Sequence, residues 1–292
     1  MSWNRFIAPN LGLLFYKHIY KEHEIFRRVI RDEEKDCLTI TVGKDEKPFD
    51  PFYGVLYEQK ANEFSQITND IAEHKFPLMT TYPGLLLGSG YMHETKATGD
   101  FKLGFYFDHT TGQPVLPGSS VKGVCRSLFE VDLTDKGKNF SGPQSVKAVK
   151  FVFNELLESE KDNPKFGHTK KIEDIVTGLN ETKLKALVSE MFGSDKINGK
   201  DIFFDAVLDM DANGERNFLA SDFITPHHHD LLKNPTPLQF LKVKSNVVFE
   251  FRFLLKDGLW SADIKELFFK QVLKTFGIGA KTHIGYGLFK NP

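Results

Sequence analysis

Between Leu11 and Lys35, Leu14, Phe15, Ile19, Phe26, Val29 and Ile30 fall at mostly helical spacing with no proline and no glycine after Gly12, which predicts an amphipathic helix. A Pro-containing break at Lys47–Pro51 precedes a second expected helix over Asn62–Lys75, so residues 1–80 read as a helical N-terminal packing layer. The first expected strand is Gly84–Gly88, a short apolar run between glycines, followed by a polar, flexible loop or hairpin over 89–99. Phe101–Phe107 alternates well enough for a strand, and Asp108–Gly112 carries turn chemistry. Val121, Val124, Cys125, Leu128 and Phe129 then recur at i, i+3, i+4, i+7 and i+8, predicting a helix over 119–129 behind a Pro-Gly-Ser-Ser entry.

Residues 131–200 are rich in Lys, Asp, Glu and Ser and read as a helical insertion, with helices near Ser145–Ser159 and Glu181–Phe192. Ile202–Leu208 reads as a buried strand, and residues 211–240 as an irregular insertion. Val247, Phe249, Phe251 and Phe253 alternate within a strand over 246–255, and Asp257-Gly258 turns the chain. A helix over 261–276 ends at Gly277, placed for a positive φ, and His283–Phe289 is expected to be the last strand. With the insertions removed, the order is β-α-β-β-α-β, an α+β, ferredoxin-like (RRM-like) arrangement. Right-handed crossovers put both helices on one face, leaving the other open, as in modules that lay RNA on a sheet.

The length, 292 residues, suits one large domain or two small ones, and no apolar run approaches the roughly 20 residues of a membrane span. Thirty-eight basic residues against 39 acidic ones leave a formal charge of −1, so a grip on a polyanion requires a local patch. Two cysteines, Cys37 and Cys125, make neither a disulfide framework nor a zinc site. The N-terminal residues lack a signal pattern, and the expected location is cytoplasmic. The 28 phenylalanines favour strands and a bulky core.

Helix 119–129 presents Ser119, Lys122, Gly123 and Arg126 on the side away from its apolar stripe. A helical Gly costs about 0.8–1.0 kcal/mol relative to Ala, and at position 123 a close backbone approach would account for it. No acid occurs between Asp108 and Glu130, so these cations, Ser119, Ser120 and the helix N-terminus are expected to present positive potential to a phosphate. The alternative is a solvated helix with a tight entry turn. Four glycines, Gly277, Gly279, Gly285 and Gly287, fall within an eleven-residue stretch with Lys281, Thr282 and Tyr286. A Walker loop is excluded, because Ala280 and Thr275 stand where it needs glycines. A glycine-rich loop whose amides approach a polyanion remains, beside the plainer reading of a conformational turn. His227, His228 and His229 are adjacent and unaccompanied by a second ligand cluster, so no metal and no cofactor is expected. His93 with Glu94 could serve as an acid or base, although a lone loop histidine is more often inert.

The segments Gly88-Ser89-Gly90…Glu94, Gln113–Arg126 and Gly277–Gly287 resemble the RAMP superfamily of CRISPR proteins. Asn10–Lys17, Phe203–Ala206, Asp222–His227 and Phe240–Val243 are similar to the sixth-subunit family of type III-B Cmr effector complexes. The resemblance spans nearly the whole chain and implies a single RAMP domain over 1–292. It implies a non-catalytic RNA-binding subunit, with guide RNA, target RNA and neighbouring Cmr subunits as partners, capping the backbone near the guide's 3′ end. Ser119, Ser120, Lys122, Gly123, Arg126, Gly277, Gly279, Lys281, Thr282, Gly285, Tyr286 and His93 are the expected RNA contacts. Residues 89–101 correspond to the thumb-like hairpin of related subunits, where Asp100 stands as the one nearby slicer-type acid. The extra histidines after Thr225-Pro226 depart from the family pattern. A different reading is a metal-independent endoribonuclease using His93, His283 and Lys281; a third is a protein-binding scaffold.

Overall fold

The computed structural model describes residues 29–32, 37–40, 70–90, 101, 103–133, 137, 139–163, 166–194, 197–214, 217–225 and 237–292. The chain is a mixture of helices and antiparallel sheets. In order, it forms β1 (Val29–Asp32), β2 (Cys37–Ile40), β3 (His74–Thr80), α1 (Gly118–Ser127), β4 (Asp132–Leu133) and β5 (Asn139–Phe140). The helices α2 (Pro143–Ser159), α3 (Thr169–Gly178) and α4 (Glu181–Met191) follow, then β6 (Gly193–Ser194), β7 (Ile197–Asn198), β8 (Ile202–Phe203) and β9 (Val207–Leu208). Last come α5 (Met210–Asn213), β10 (Leu219–Ile224), β11 (Leu238–Val243), β12 (Val248–Leu254), α6 (Ala262–Phe276) and β13 (Phe289–Lys290).

The main sheet has the order β13-β3-β12-β8, with β9 also on β12, and every pairing is antiparallel. Phe251 stands opposite Phe76 and Phe249 opposite Leu78, so period-2 alternation sends these side chains to one face. There they meet α6, whose Phe268 and Phe269 are buried, and the stack continues through Phe203, 5.2 Å from Phe269. The segment expected as an insertion joins this same core. Phe153 of α2 lies 4.8 Å from Phe268 and 5.1 Å from Trp260. Polar contacts fasten its end as well: the buried Lys265 ammonium lies 3.8 Å from Glu190 and, at the residue after the segment, donates to Asp201 Oδ2 at 2.9 Å and Oδ1 at 3.1 Å, and to the Lys256 carbonyl at 2.7 Å. Asp201 also accepts from Lys256 N–H, so neither charge is buried unpaired.

Several expectations are corrected here. The first strand of the sheet is His74–Thr80, not 84–88, and it overrides the end of the helix expected over 62–75. Pro77 disguises it; on the sheet's β13 side only Met79 and Thr80 are paired, so Pro77 has no second strand beyond it. Leu85–Leu87 are buried, but the run makes one bridge, Leu85 to Val243 of β11, and belongs to no named strand. Likewise, 101–107 holds isolated bridges at Leu103 and Phe107 and no regular strand.

The helix expected over 11–35 gives way to strand at Val29–Asp32, which pairs with Cys37–Ile40; its earlier part lies outside the described residues. The interval 211–240 contains β10, pinned along its length to β11. In the 202–208 run the ladder is interrupted by Phe204–Ala206, where Ala206 exchanges hydrogen bonds with Leu116 instead. The expected strand at 283–289 is a 3-10 turn over Thr282–Ile284 with pairing only at Phe289–Lys290, because positive φ at Gly285 and Gly287 breaks the extended path.

The sheet face expected to be open carries no ring for a base to stack on. On the side away from α6, β3 and β12 present Lys75, Pro77, Met79, Val248, Glu250, Arg252 and Leu254, with no aromatic ring among them. Arg252 is buried there, 2.6 Å from Glu250. The phenylalanines of β3 and β12 are committed to the core. No described helix is long and apolar enough to cross a membrane.

Candidate functional site

Three loops converge on one cleft of about 630 Å³: Leu87–Gly90, the Leu116–Ser120 entry to α1, and Ile278–Ala280 after α6, with Tyr106 and Val124 completing its lining. Gly118 begins α1 where the backbone of β8 presses closest, since a Cβ at that position would stand 2.2 Å from the Phe203 carbonyl oxygen. Gly279 is fixed in the same way by the Leu86 carbonyl, to which Ala280 N–H donates at 3.1 Å. These contacts hold the glycine loop against 84–88 and shape the cleft. Ser119 and Ser120 are exposed on its wall, and among the described residues no lining residue carries a carboxylate.

The sequence-predicted residues divide into groups. Ser119, Ser120 and Gly279 line the cleft together, although they are distant in the chain. Lys122 and Arg126 do not line it: at about 100° per residue they lie on the opposite flank of α1's exposed side from Ser120 and Val124. Arg126 is moreover engaged, its guanidinium forming a two-point pair with Glu130 at 2.7 and 3.1 Å. The absence of acids before residue 130 therefore overstates the free positive charge. Gly123 is exposed, and a Cβ there would meet nothing within 4 Å, so no packing inside the chain requires glycine.

The glycine loop differs from expectation in two respects. Its amides are largely used internally: Gly277 N–H donates to Leu273, Ile278 to Gly287, Gly285 to Thr282, and Gly287 to Gly84. Tyr286, expected to touch RNA, is buried against Leu86 and Phe240, and its hydroxyl donates to Asp222 Oδ2 at 2.8 Å. The same carboxylate pairs with the Lys242 ammonium at 2.5 Å, and that ammonium lies 5.8 Å from the Tyr286 ring centroid. Burial, then the Asp222 hydrogen bond and charge, push the Tyr286 phenol upward. Partial burial acts to raise Asp222, but the hydrogen bonds from Lys242 and Tyr286 outweigh it and hold the carboxyl below its ordinary value. Lys281 and His283 are exposed and Thr282 and Gly285 half-buried. His93, Asp100 and His227–His229 lie outside the described residues.

The model of the RAMP superfamily matches residues 78–290, an interval that includes all three walls of the cleft. The chain belongs to the RAMP superfamily. Among curated proteins this RAMP chain is similar to the CRISPR system Cmr subunit Cmr6 of Pyrococcus furiosus, 28% identical over 203 residues, a match covering 60% of this chain. The match spans 57% of that relative's length. Among solved structures, a cryo-EM structure of the type III-B Cmr-beta complex bound to cognate target RNA contains a chain 19% identical, with a TM-score of 0.42, covering 74% of this chain and 57% of that one. The crystal structure of Cmr6 from Pyrococcus furiosus is 20% identical, again with a TM-score of 0.42, covering 75% of this chain and 98% of that one.

Within the RAMP chain, sequence reasoning missed Asp205 as a site residue. Its carboxylate accepts from Gly118 N–H at 2.6 Å and so answers part of the positive end of α1. The signal was an acid interrupting the apolar run Ile202–Leu208. Tyr106, whose chain meets Gly88 so closely that a Cβ on that glycine would stand 2.8 Å from Tyr106 Cβ, was missed because nothing local marks it.

Proposed function

We propose that this RAMP chain is a subunit of a type III-B Cmr effector complex that binds RNA without cleaving it. In this reading it works in the cytoplasm, caps the row of RAMP subunits near the 3′ end of the guide RNA and helps hold the target. Its core is the ferredoxin-like β-α-β-β-α-β unit made by β3, α1, the β8–β9 strand, β12, α6 and β13. The observation that carries the reading is the cleft, whose walls are Gly88–Gly90, Ser119–Ser120 and Ile278–Ala280 and whose lining, among the described residues, holds no carboxylate. Small side chains and hydroxyls let a ribose-phosphate strand approach the backbone closely, and the exposed Lys281, next in the chain to Ala280 of the lining, supplies charge at its margin. The similarity to the Cmr6 subunit supports the assembly.

Ultraviolet cross-linking of the assembled particle, with mass-spectrometric mapping of RNA-bound peptides, tests the proposal. Cross-links are expected in peptides containing Ser119–Lys122 and Gly279–Lys281. Cross-links confined to other surfaces, or none, would remove it. Discrete cleavage of labelled repeat RNA by the pure chain in EDTA would replace it with a ribonuclease.

A further inference from the structure

Tyr82 is 85% exposed, more than any other large apolar or aromatic side chain among the described residues. Its exposure is built into ordered surroundings. Thr81 N–H and its hydroxyl both donate to the Leu288 carbonyl, at 3.0 and 3.2 Å, and the Gly84 carbonyl accepts from Gly287 N–H at 2.8 Å. Pro83 Cδ packs where a Cβ on Gly285 would be 3.4 Å away. The ring is therefore carried by backbone pinned on both sides.

The neighbours of this position point to a ligand of one kind. The loop against which Pro83 packs exposes Lys281, His283 and Ile284, and no acid occurs from Leu267 to Pro292. Asp222, the carboxylate that reaches this loop among the described residues, is held by Lys242 and Tyr286. The segment bearing Tyr82 also leads into the cleft, because Leu87 is five residues further on, at most about 18 Å along the chain. Sequential hydrogen bonds at Thr81, Gly84 and Leu86 keep it beside the terminal loop over that distance. An exposed ring beside Lys281, with which no carboxylate pairs among the described residues, suits a π-faced anion. A protein-docking patch would instead be depleted of lysine at its centre.

We propose that Tyr82 is a stacking platform for one unpaired base of an RNA strand leaving the cleft. This deepens the RNA-binding reading and rests on it. Stacking on an aromatic side chain is tolerant of base identity, so the platform reads the presence of a base and not its sequence.

The test is an abasic walk: single-stranded RNAs, each lacking one base, are titrated against the full chain and its Tyr82→Ala and Tyr82→Phe variants. The parent should bind, Tyr82→Ala should weaken binding by about 5- to 150-fold, and Tyr82→Phe should stay near the parent. One abasic position should weaken the parent and Tyr82→Phe but leave Tyr82→Ala unchanged. RNA binding indifferent to Tyr82→Ala overturns the platform while sparing the cleft. Loss of binding in both variants with no position-specific effect also overturns it. Absence of RNA binding by the parent overturns the broader reading together with the platform. Loss of co-assembly with neighbouring subunits, with RNA binding intact in Tyr82→Ala, assigns the ring to a protein contact and rejects the platform.

Discussion

Asp205 and Gly118, 87 residues apart in the chain, meet at the first turn of α1, where the carboxylate accepts the glycine's N–H at 2.6 Å. One side chain thereby stabilises the helix entry and competes with any anion drawn to it. Replacing Asp205 with Ala should cost about 1 kcal/mol of stability, by analogy with the loss of a helix cap, measured by denaturant titration. Asp205→Asn, which removes the charge, should tighten RNA binding at low salt and lose that advantage as salt is raised. Weaker binding by Asp205→Asn at low salt would contradict this arrangement.

Gly123 and Gly118 should respond in opposite directions to the same substitution. A Cβ at 123 meets open space, so Gly123→Ala should raise stability by about 0.8–1.0 kcal/mol. If RNA lies along that side of α1, affinity should fall at the same time. Gly118→Ala would force a Cβ to 2.2 Å from the Phe203 carbonyl, an overpacking expected to cost about 1–3 kcal/mol. Thermal melts and filter binding on the same samples separate the two effects.

Lys122 and Arg126 should not be equivalent. Lys122→Ala should flatten the dependence of log affinity on log salt by about one unit if it meets a phosphate. Arg126→Ala also breaks the pair with Glu130, so a loss of helix stability should accompany whatever it does to binding. Identical salt slopes for parent and Lys122→Ala would exclude a phosphate contact there.

The Tyr286–Asp222–Lys242 cluster should loosen in acid. Asp222 titrates lower in the folded chain than its ordinary value of 3.8, so its contribution is fully present above that pH and is lost as pH falls through the depressed folded value. Hydrogen exchange should show the amides of 284–287 losing protection over that range. In Asp222→Asn, protection should already be reduced at neutral pH and should not change further through the same window.

Burial pushes the Cys125 thiol well above the usual cysteine range, which leaves almost no thiolate at neutral pH. Iodoacetamide should leave the Cys125 peptide unmodified in the folded chain and modify it fully in denaturant. Rapid alkylation of the native protein would show that α1 does not pack as described.

The long periodic helices were legible in the sequence, because α1 and α6 carry apolar stripes that one face of a helix can satisfy. The Phe249-Phe251-Phe253 alternation was equally plain. What failed were positions decided by distant chain. Gly84–Gly88 has a strand's composition but was committed to β11, whereas His74–Thr80 conceals a real strand behind Pro77. For the site, the Ser119–Gly279 pairing could be expected because both segments were glycine- or serine-rich and free of acids. Glu130, which ends the acid-free run, stands one helical turn beyond Arg126 and takes its charge, so the run held less free positive potential than its composition suggested. Tyr286 was expected to touch RNA from the glycine-rich stretch, and only the fold shows it turned inward onto Phe240.

Lys265 sits one turn into a 15-residue helix whose far end opens directly into Gly277. Through Glu190 and the neighbouring Asp201 the helical region grips one end of this rod, about 22 Å long, and the glycine turn hangs from the other. Hauling on the appendage therefore displaces the lip of the cleft as well, and a neighbour docked there would share a mechanical frame with the bound strand.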